Sequence, residues 1–408
     1  MPEKTKADIL ILGAGIGGYA AFKNLAKELK ENNIDKKITL IDANNYFTFT
    51  PLLHEVASGS IEPGHATIPL QELVYGTSHQ YIKTTVEKIF PEKNKVQTSI
   101  GDIEYEYCVI AVGSGVNYYG IKGAAEFSYS VRTLRSAMQL RSSIIKKLES
   151  CDRELDINVV GGGFTGIEVA GQVASLAQHD IKKLYPKTKI NISIIQATDK
   201  LAPQLPPKAQ EKIIAQLNKL KIKILFNAKV TEVKASEILL GKETINSDFT
   251  IWCAGVENLA GYMMDASYCE RDRIPVNNFL QHKMYANLYG VGDIACGSNK
   301  DETTTYPQIG EVAESQGLYV GQHLAYTLMK KTLPPFHFRS QGTLMPIGDN
   351  YGIIVFPNGF VLSGFIAWWI RRTVYIIFVP GFLRKLKIIL DWTLNLFGFR
   401  YTVDISGD

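Results

Sequence analysis

The chain has 408 residues, with 46% hydrophobic residues, 21% charged residues and a formal net charge of +4. This is the balance of a globular protein of two or three domains, and it excludes a disordered tail protein and a polytopic membrane protein. So small a basic excess gives no argument for nucleic acid as a partner.

The opening residues, Met1-Pro-Glu-Lys-Thr-Lys-Ala-Asp8, carry acids and lack the apolar stretch of a signal peptide, so a cytoplasmic protein is expected. Ile9-Leu-Ile-Leu12 reads as a buried strand, Gly13-Ala-Gly-Ile-Gly-Gly18 as a turn, and Tyr19 to Leu29 as a helix. Lys37-Ile-Thr-Leu-Ile-Asp42 is the next strand. Tyr107 to Gly115 reads as a strand that ends in a glycine-rich crossing at Gly113. A second copy of the opening pattern follows: strand Ile157–Val160, turn Gly161-Gly-Gly-Phe-Thr-Gly166, helix Ile167–Ala177 and strand Ile190–Gln196. Phe249 to Val256 is a second crossing, at Gly255, and Leu288 to Asp293 is a strand that ends in an acid. Beyond residue 340, Tyr351–Phe356 and Phe360–Phe365 read as strands around a Pro357-Asn-Gly359 turn. Ile366 to Arg400 then reads as helical, aromatic and basic.

Two strand–turn–helix–strand units imply two dinucleotide-binding folds. The expected class is α/β, with two Rossmann-like domains and a C-terminal membrane-associating region. Residues 1–115 and 251–340 are assigned to the first domain, 116–250 to the second, and 341–408 to the C-terminal region. Each GxGxxG glycine has a mechanical task. The first (Gly13, Gly161) permits the tight turn, and the second (Gly15, Gly163) lets the backbone approach a pyrophosphate. The third (Gly18, Gly166) brings helix and strand together. The pyrophosphate then rests on a helix N-terminus. Asp42 follows the first loop at about the 20-residue distance of an acid that accepts a ribose 2′-hydroxyl. After the second loop that place is taken by Gln196. A neutral amide does not repel a 2′-phosphate, so NADPH is tolerated alongside NADH. Equally, Gln196 can bond the 2′-hydroxyl and leave NADH preferred.

With both loops placed, the chain resembles the type II NADH:quinone oxidoreductases of the two-dinucleotide-fold flavoprotein superfamily. The residues that carry the likeness include Asp42 to Gly59, Ala111-Val-Gly-Ser-Gly115, Val159 to Glu168, Trp252-Cys-Ala-Gly-Val256 and Tyr289-Gly-Val-Gly-Asp293. The resemblance implies FAD in the first fold, NADH (with NADPH possible) in the second, and hydride transfer between them. It also implies that Thr48 to Pro51, including Thr50 and Pro51, lie against the isoalloxazine ring and that Asp293 binds the ribityl chain. Glu168 would be the catalytic-site residue that contacts the nicotinamide. The alternative for Glu168 is an exposed acid near a helix N-terminus, favoured by the dipole alone. His54 and His65 can shuttle protons or simply be hydrogen-bonded structure. Cys253 is expected to be a small buried apolar residue.

The five cysteines, Cys108, Cys151, Cys253, Cys269 and Cys296, form no Cys-x4-Cys redox pair, zinc pattern or disulfide framework. This argues against the disulfide reductases on the same scaffold and against sulfide:quinone reductase, and no metal is expected. Gly310, Glu311 and Ser315 replace the family's Ala, Gln and Gln of the quinone pocket, and Gln341 replaces its Lys. They form either a variant quinone site, in which Glu311 relays protons, or the site of another acceptor, in which Glu311 is merely a first-turn acid.

The tail holds six basic residues, Arg371, Arg372, Arg384, Lys385, Lys387 and Arg400, against the single acid Asp391, together with Trp368, Trp369 and Trp392. That composition marks an interfacial segment. Arg384, Lys387, Asp391 and Asn395 share one helical face, and Leu386, Ile389, Leu390, Leu394 and Phe397 the other. The apolar run Thr373–Leu383 contains Pro380-Gly381 and falls short of the ~20 residues a span needs. The tail therefore lies on an anionic lipid surface, at the cytoplasmic face of a membrane, or else packs as a core or dimer helix. A homodimer fits both. The leading expectation is a peripheral flavoenzyme that reduces a membrane quinone without pumping protons. The alternatives are a soluble NAD(P)H-dependent reductase with another acceptor, and a flavin-binding redox sensor without turnover.

Overall fold

The computed structural model describes residues 5–150, 152–299, 305–379, 381–397 and 400–401. Cys151 and Pro380 lie outside them. The chain forms two compact units. One comprises Met1–Thr48, Thr67–Gly115 and Val256–Ser340; the other comprises Phe49–Ala66, Val116–Gly255 and Gln341–Asp408.

In the first unit the strand Thr5–Leu12 lies between Ile38–Asp42 and Gly101–Ile110 and runs parallel to both. Gln80–Lys83 extends one side, and Leu288–Gly290 pairs, also parallel, with the end of Gly101–Ile110. Ile9, Leu10, Ile11 and Leu12 are fully buried, because a parallel strand covered on both faces has no solvent side to keep polar. The helices Ile16–Glu31 and Gly310–Leu328 cross closely. A Cβ on Gly317 would lie 2.2 Å from the Gly17 carbonyl oxygen, so the crossing needs glycine.

The second unit has five parallel strands in the order Ser128–Tyr129, Phe249–Trp252, Leu155–Val160, Ile190–Ile195 and Ile222–Leu225. The helix Phe164–Leu176 is buried over most of its length, as its run of Ile, Val, Ala and Leu requires. Leu134–Glu149 starts on a capping box between Thr133 and Ser136. The segment Phe49–Ala66 contributes a turn at Thr50–Leu52 and the short helix Leu53–Ala57, whose residues are all buried.

The two expected C-terminal strands form as Gly352–Val355 and Val361–Gly364, and a third, Thr343–Pro346, joins them in an antiparallel sheet. The helical tail forms two helices, Phe365–Phe378 and Phe382–Asn395, on either side of the expected Pro380-Gly381 break. Val379, the residue before a proline, has left the helical region for extended backbone, and Gly381 sits at φ +87°. Clash with the proline ring drives the preceding residue out of the α region, which ends the first helix.

Candidate functional site

Both glycine loops sit at the carboxyl ends of parallel strands, where open α/β sheets bind ligands. In the first unit Gly13 follows Leu12, which is paired with Ile110, and Ile110 is paired with Gly290. Gly13, Gly113 and Asp293 therefore gather at adjacent strand ends. In the second unit Val160 pairs with Ile195 and with Trp252, which gathers Gly161, Gln196 and Gly255 in the same way.

The two loops match atom for atom. Gly13 and Gly161 have φ of +91° and +109°. A Cβ on Gly18 would lie 1.8 Å from the Gly13 carbonyl oxygen, and one on Gly166 would lie 1.9 Å from that of Gly161. A Cβ on Gly15 or Gly163 would meet nothing within 4 Å. The middle glycine is thus the one that leaves room for a ligand, beside the N-termini of Ile16–Glu31 and Phe164–Leu176. Asp42 Oδ2 accepts the Ala14 N–H at 2.7 Å, and Gln196 Oε1 accepts the Gly162 N–H at 2.8 Å. Gln196 Nε2 donates to Thr198 Oγ1 at 2.8 Å and to the Lys200 carbonyl at 3.0 Å, so the amide is held on both sides. The first loop ends on a negative charge and the second on none.

Asp293 lies in the turn Gly292–Ile294 and accepts from Ser114 Oγ. Gln308 Nε2 donates to its carbonyl oxygen at 3.0 Å. Gln316 Oε1 accepts the Gly292 N–H at 2.7 Å, while its Nε2 is buried with no hydrogen-bond partner among the described residues. A buried donor without a partner costs stability unless a ligand takes it, so this unit fits an acceptor-rich ligand such as a flavin nucleotide. Gly113 has φ +73° and open space around its Cβ position. Gly255 lies so near the Tyr119 hydroxyl that a Cβ would meet it at 2.1 Å.

Glu168 is not the exposed helix acid of the alternative reading. Its side chain is 17% exposed, and His54 Nδ1 stands 3.9 Å from its Oε2. Burial pushes its carboxyl above the usual range, against the pull of His54 and Arg371. His54 belongs to a buried network with Glu55 and Arg371. Arg371 Nη1 donates to Glu55 Oε1 at 2.8 Å, and Trp392 Nε1 donates to Glu55 Oε2. Arg371 Nη2 donates to His54 Nε2 at 3.2 Å and to the Pro51 carbonyl at 3.4 Å. Burial alone would raise Glu55, but His54, Arg371 and Arg372 hold it far below the usual carboxylate range. Thr50 is exposed and Pro51 half-buried at the turn that opens this segment. His65 takes the structural role, pairing with Asp391 at 2.7 Å. Cys253 is partly exposed rather than fully buried. Burial, with Glu168 nearby, pushes its thiol up to about 12, which leaves it a poor nucleophile.

Of the acceptor-pocket candidates, Gly310 opens the helix Gly310–Leu328, Glu311 lies in its first turn, and Ser315 follows one turn later on the same side. Ser340 Oγ donates to Glu311 Oε2 at 3.2 Å. Gln341 is exposed and belongs to the other unit.

The tail departs from its expected charge pattern. Arg371 is 1% exposed. Arg372 lies between the Trp368 and Trp392 rings, 3.7 and 4.7 Å from their centroids. Arg400 pairs with Asp180 and Asp349. Three of the six basic residues are thus held against carboxylates or rings; Arg384 and Lys385 are half-buried, with Lys385 Nζ donating to the Ile377 carbonyl at 3.0 Å, and Lys387 is exposed. Asp391 and Asn395, expected on one helical face with Arg384 and Lys387, turn inward. Asp391 accepts from His65, the Glu62 N–H and Tyr401, and Asn395 donates to the Ser60 carbonyl. The apolar side is the exposed one, with Trp369, Ile377, Phe382, Leu383, Leu390 and Phe397 between 55% and 74% exposed. No helix among the described residues is long and apolar enough to cross a membrane.

Sequence reasoning passed over Glu55, Gln316 and Arg371. Gln316 adjoined the inspected pocket positions, and Glu55 stood inside the inspected Asp42–Gly59 stretch. Arg371 was read as surface charge.

Two parallel-sheet units with paired glycine loops define a two-dinucleotide-fold oxidoreductase. The model of the pyridine nucleotide-disulphide oxidoreductase family matches residues 7–317, and the chain belongs to that family. It is 29% identical to a probable NADH dehydrogenase of Dictyostelium discoideum, over 95% of this chain and 89% of that one. It is 26% identical to a type II NADH:quinone oxidoreductase of Mycobacterium tuberculosis, over 96% and 88%. The fold is that of the NDH2 of Plasmodium falciparum solved in complex with NADH, with a TM-score of 0.87 at 20% identity, covering 98% of this chain and 100% of that one. These relatives bear out the resemblance to type II NADH:quinone oxidoreductases, and with it FAD and NADH as the cofactors. Cys108, Cys253, Cys269 and Cys296 are free.

Proposed function

We propose that this chain takes a hydride from NADH onto FAD and reduces a membrane quinone, without proton pumping, from the cytoplasmic face of a membrane that it does not span. The observation that carries this reading is the pair of matched loops in one chain, each with an open middle glycine and an anchored second-strand side chain. Bound FAD supplies a two-electron carrier that accepts hydride and returns electrons to a second substrate. Gly13, Gly15, Gly18, Asp42, Gly113 and Asp293 bind its nucleotide and ribityl parts, with Thr50 and Pro51 at the ring. Gly161, Gly163, Gly166, Gln196 and Gly255 hold the nicotinamide nucleotide, and Glu168 meets the nicotinamide. The neutral Gln196 admits NADPH beside NADH. Gly310, Glu311, Ser315 and Gln341 contribute to the quinone site. The exposed apolar side of the two C-terminal helices, with Arg384, Lys385 and Lys387, supports seating on anionic lipid. The same helices supply a face for a homodimer.

One anaerobic cuvette tests the reading. NADH added to detergent-purified holoenzyme should bleach the flavin absorbance, and a short-chain quinone should restore it rapidly. Bleaching without recovery would keep the two nucleotide sites and remove quinone as the acceptor.

A further inference from the structure

The reaction needs no buried ion pair behind the nicotinamide residue, yet the second unit contains one. Glu55 is 2% exposed and Arg371 1%, and they meet at 2.8 Å. A simple pair would use the guanidinium once. Here it is shared: Nη1 serves Glu55, while Nη2 serves His54 Nε2 at 3.2 Å.

The shared fork determines a tautomer. Arginine has donors only, so His54 Nε2 must accept from it. Glu55 Oε1 stands 3.6 Å from the same nitrogen, too far for a hydrogen bond. An imidazole that accepts at Nε2 carries its proton on Nδ1. Nδ1 is the atom that faces Glu168 Oε2, at 3.9 Å. The chain Arg371, His54, Glu168 thus runs from a helix with an exposed apolar side to the carboxyl assigned to the nicotinamide.

We infer that Arg371 is a positioning residue for Glu168: by donating to His54 Nε2 it fixes the imidazole with its Nδ1–H toward the Glu168 carboxylate, and so sets that carboxyl's proton affinity. The inference rests on the reading of Glu168 as the nicotinamide residue. The groups that act on Glu168 come from every element around it. His54 and Glu55 stand on Leu53–Ala57, Arg371 and Tyr375 on Phe365–Phe378, and Cys253 after Phe249–Trp252. His54 and Arg371 favour the ionised carboxylate, while burial and Glu55 oppose it. Removing the fork therefore frees the imidazole to turn its N–H away from Glu168 and takes away a nearby positive charge. That N–H and that charge both favour ionisation, so without them the proton is held more tightly.

The test is the pH dependence of flavin bleaching by NADH, followed anaerobically in stopped flow on FAD-loaded protein. Arg371→Met alone strands the Glu55 charge, so it is paired with Glu55→Gln. Arg371→Lys is the second route, because an ammonium cannot serve two acceptors in a fixed fork. Arg371→Lys is expected to raise the apparent pKa of the step, and the double variant to raise it by about one unit relative to Glu55→Gln alone, the background in which only the Arg371 charge is lost. His54→Phe should give a similar rise, and in that background the Arg371 change should add clearly less than it does alone, since only its direct charge effect is left. An unmoved profile in FAD-binding Arg371 variants overturns the inference. So does a full shift in the His54→Phe background, since Arg371 would then act on Glu168 directly. Glu168→Gln should abolish the ionisation. If it does not, the reading of Glu168 itself fails, and that failure is distinguishable from the others.

Discussion

The two glycine loops share a build and differ in charge. Each has a left-handed first glycine, an open second glycine, and a third glycine pressed on the first. Each anchors the end of its second strand on a loop N–H, through Asp42 in one and Gln196 in the other. The backbone requirement is common to any dinucleotide. The choice between ligands is left to one side chain, and a carboxylate and an amide of like reach accept the same bond with different charge.

The largest expected effects come from breaking the shared part. Gly18→Ala places a methyl group inside the Gly13 carbonyl oxygen, and Gly166→Ala does so at Gly161. Gly18→Ala should yield protein without flavin absorbance. Gly166→Ala should keep the flavin but abolish bleaching by NADH. Gly15→Ala and Gly163→Ala meet no protein atom, so they should weaken the same ligands while leaving the melting temperature of ligand-free protein unchanged.

A second difference between the units is the buried pair of Glu55 and Arg371. Glu55→Ala should cost about 3–5 kcal/mol in denaturant unfolding, because it leaves a buried guanidinium unpaired. Adding Arg371→Met should recover much of that loss. The pair also gives a pH signature. Glu55 is depressed in the folded state, so its contribution is complete above the unfolded carboxyl pKa of about 4.3 and is lost as pH falls below it. Melting temperatures between pH 6 and pH 3, taken as round values across that ~4.3 transition, should fall less steeply in Glu55→Gln than in the unaltered chain.

Smaller effects sharpen the charge difference. Gln196→Glu restores a carboxylate, and it should lower the ratio of NADPH to NADH efficiency by about tenfold, or about 1.4 kcal/mol. A ratio that stays put would mean the 2′-position is read elsewhere. Serine at Arg384, Lys385 or Lys387 should each weaken binding to anionic vesicles by about 1 kcal/mol in a sedimentation assay. The same change at Arg372 or Arg400 should act on folding instead.

The parallel strands, both loops and the C-terminal sheet were legible in the chain because their signals are local. Ile9–Leu12 and Ile157–Val160 are continuous apolar runs that end in glycine, and period and punctuation suffice to place them. The tail was legible only in part. Its apolar stripe, with Leu386, Leu390 and Phe397, is exposed as its period implied, but its charges were not additive. Arg371, Arg372 and Arg400 look like Arg384 and Lys387 in composition, and nothing nearby in sequence marks them as internal.

What the sequence by itself determined is therefore the backbone machinery: two glycine loops, the strands that feed them, and the acid or amide that follows. Those depend on a few residues at short spacing, where the sterics of glycine and the direction of an N–H leave little choice. What only the tertiary structure decided is which charges are buried. Glu55 and Arg371 are 316 positions apart in the chain and 2.8 Å apart in the fold. Whether a charged side chain meets water or a partner depends on what packs over it, and no local pattern carries that information.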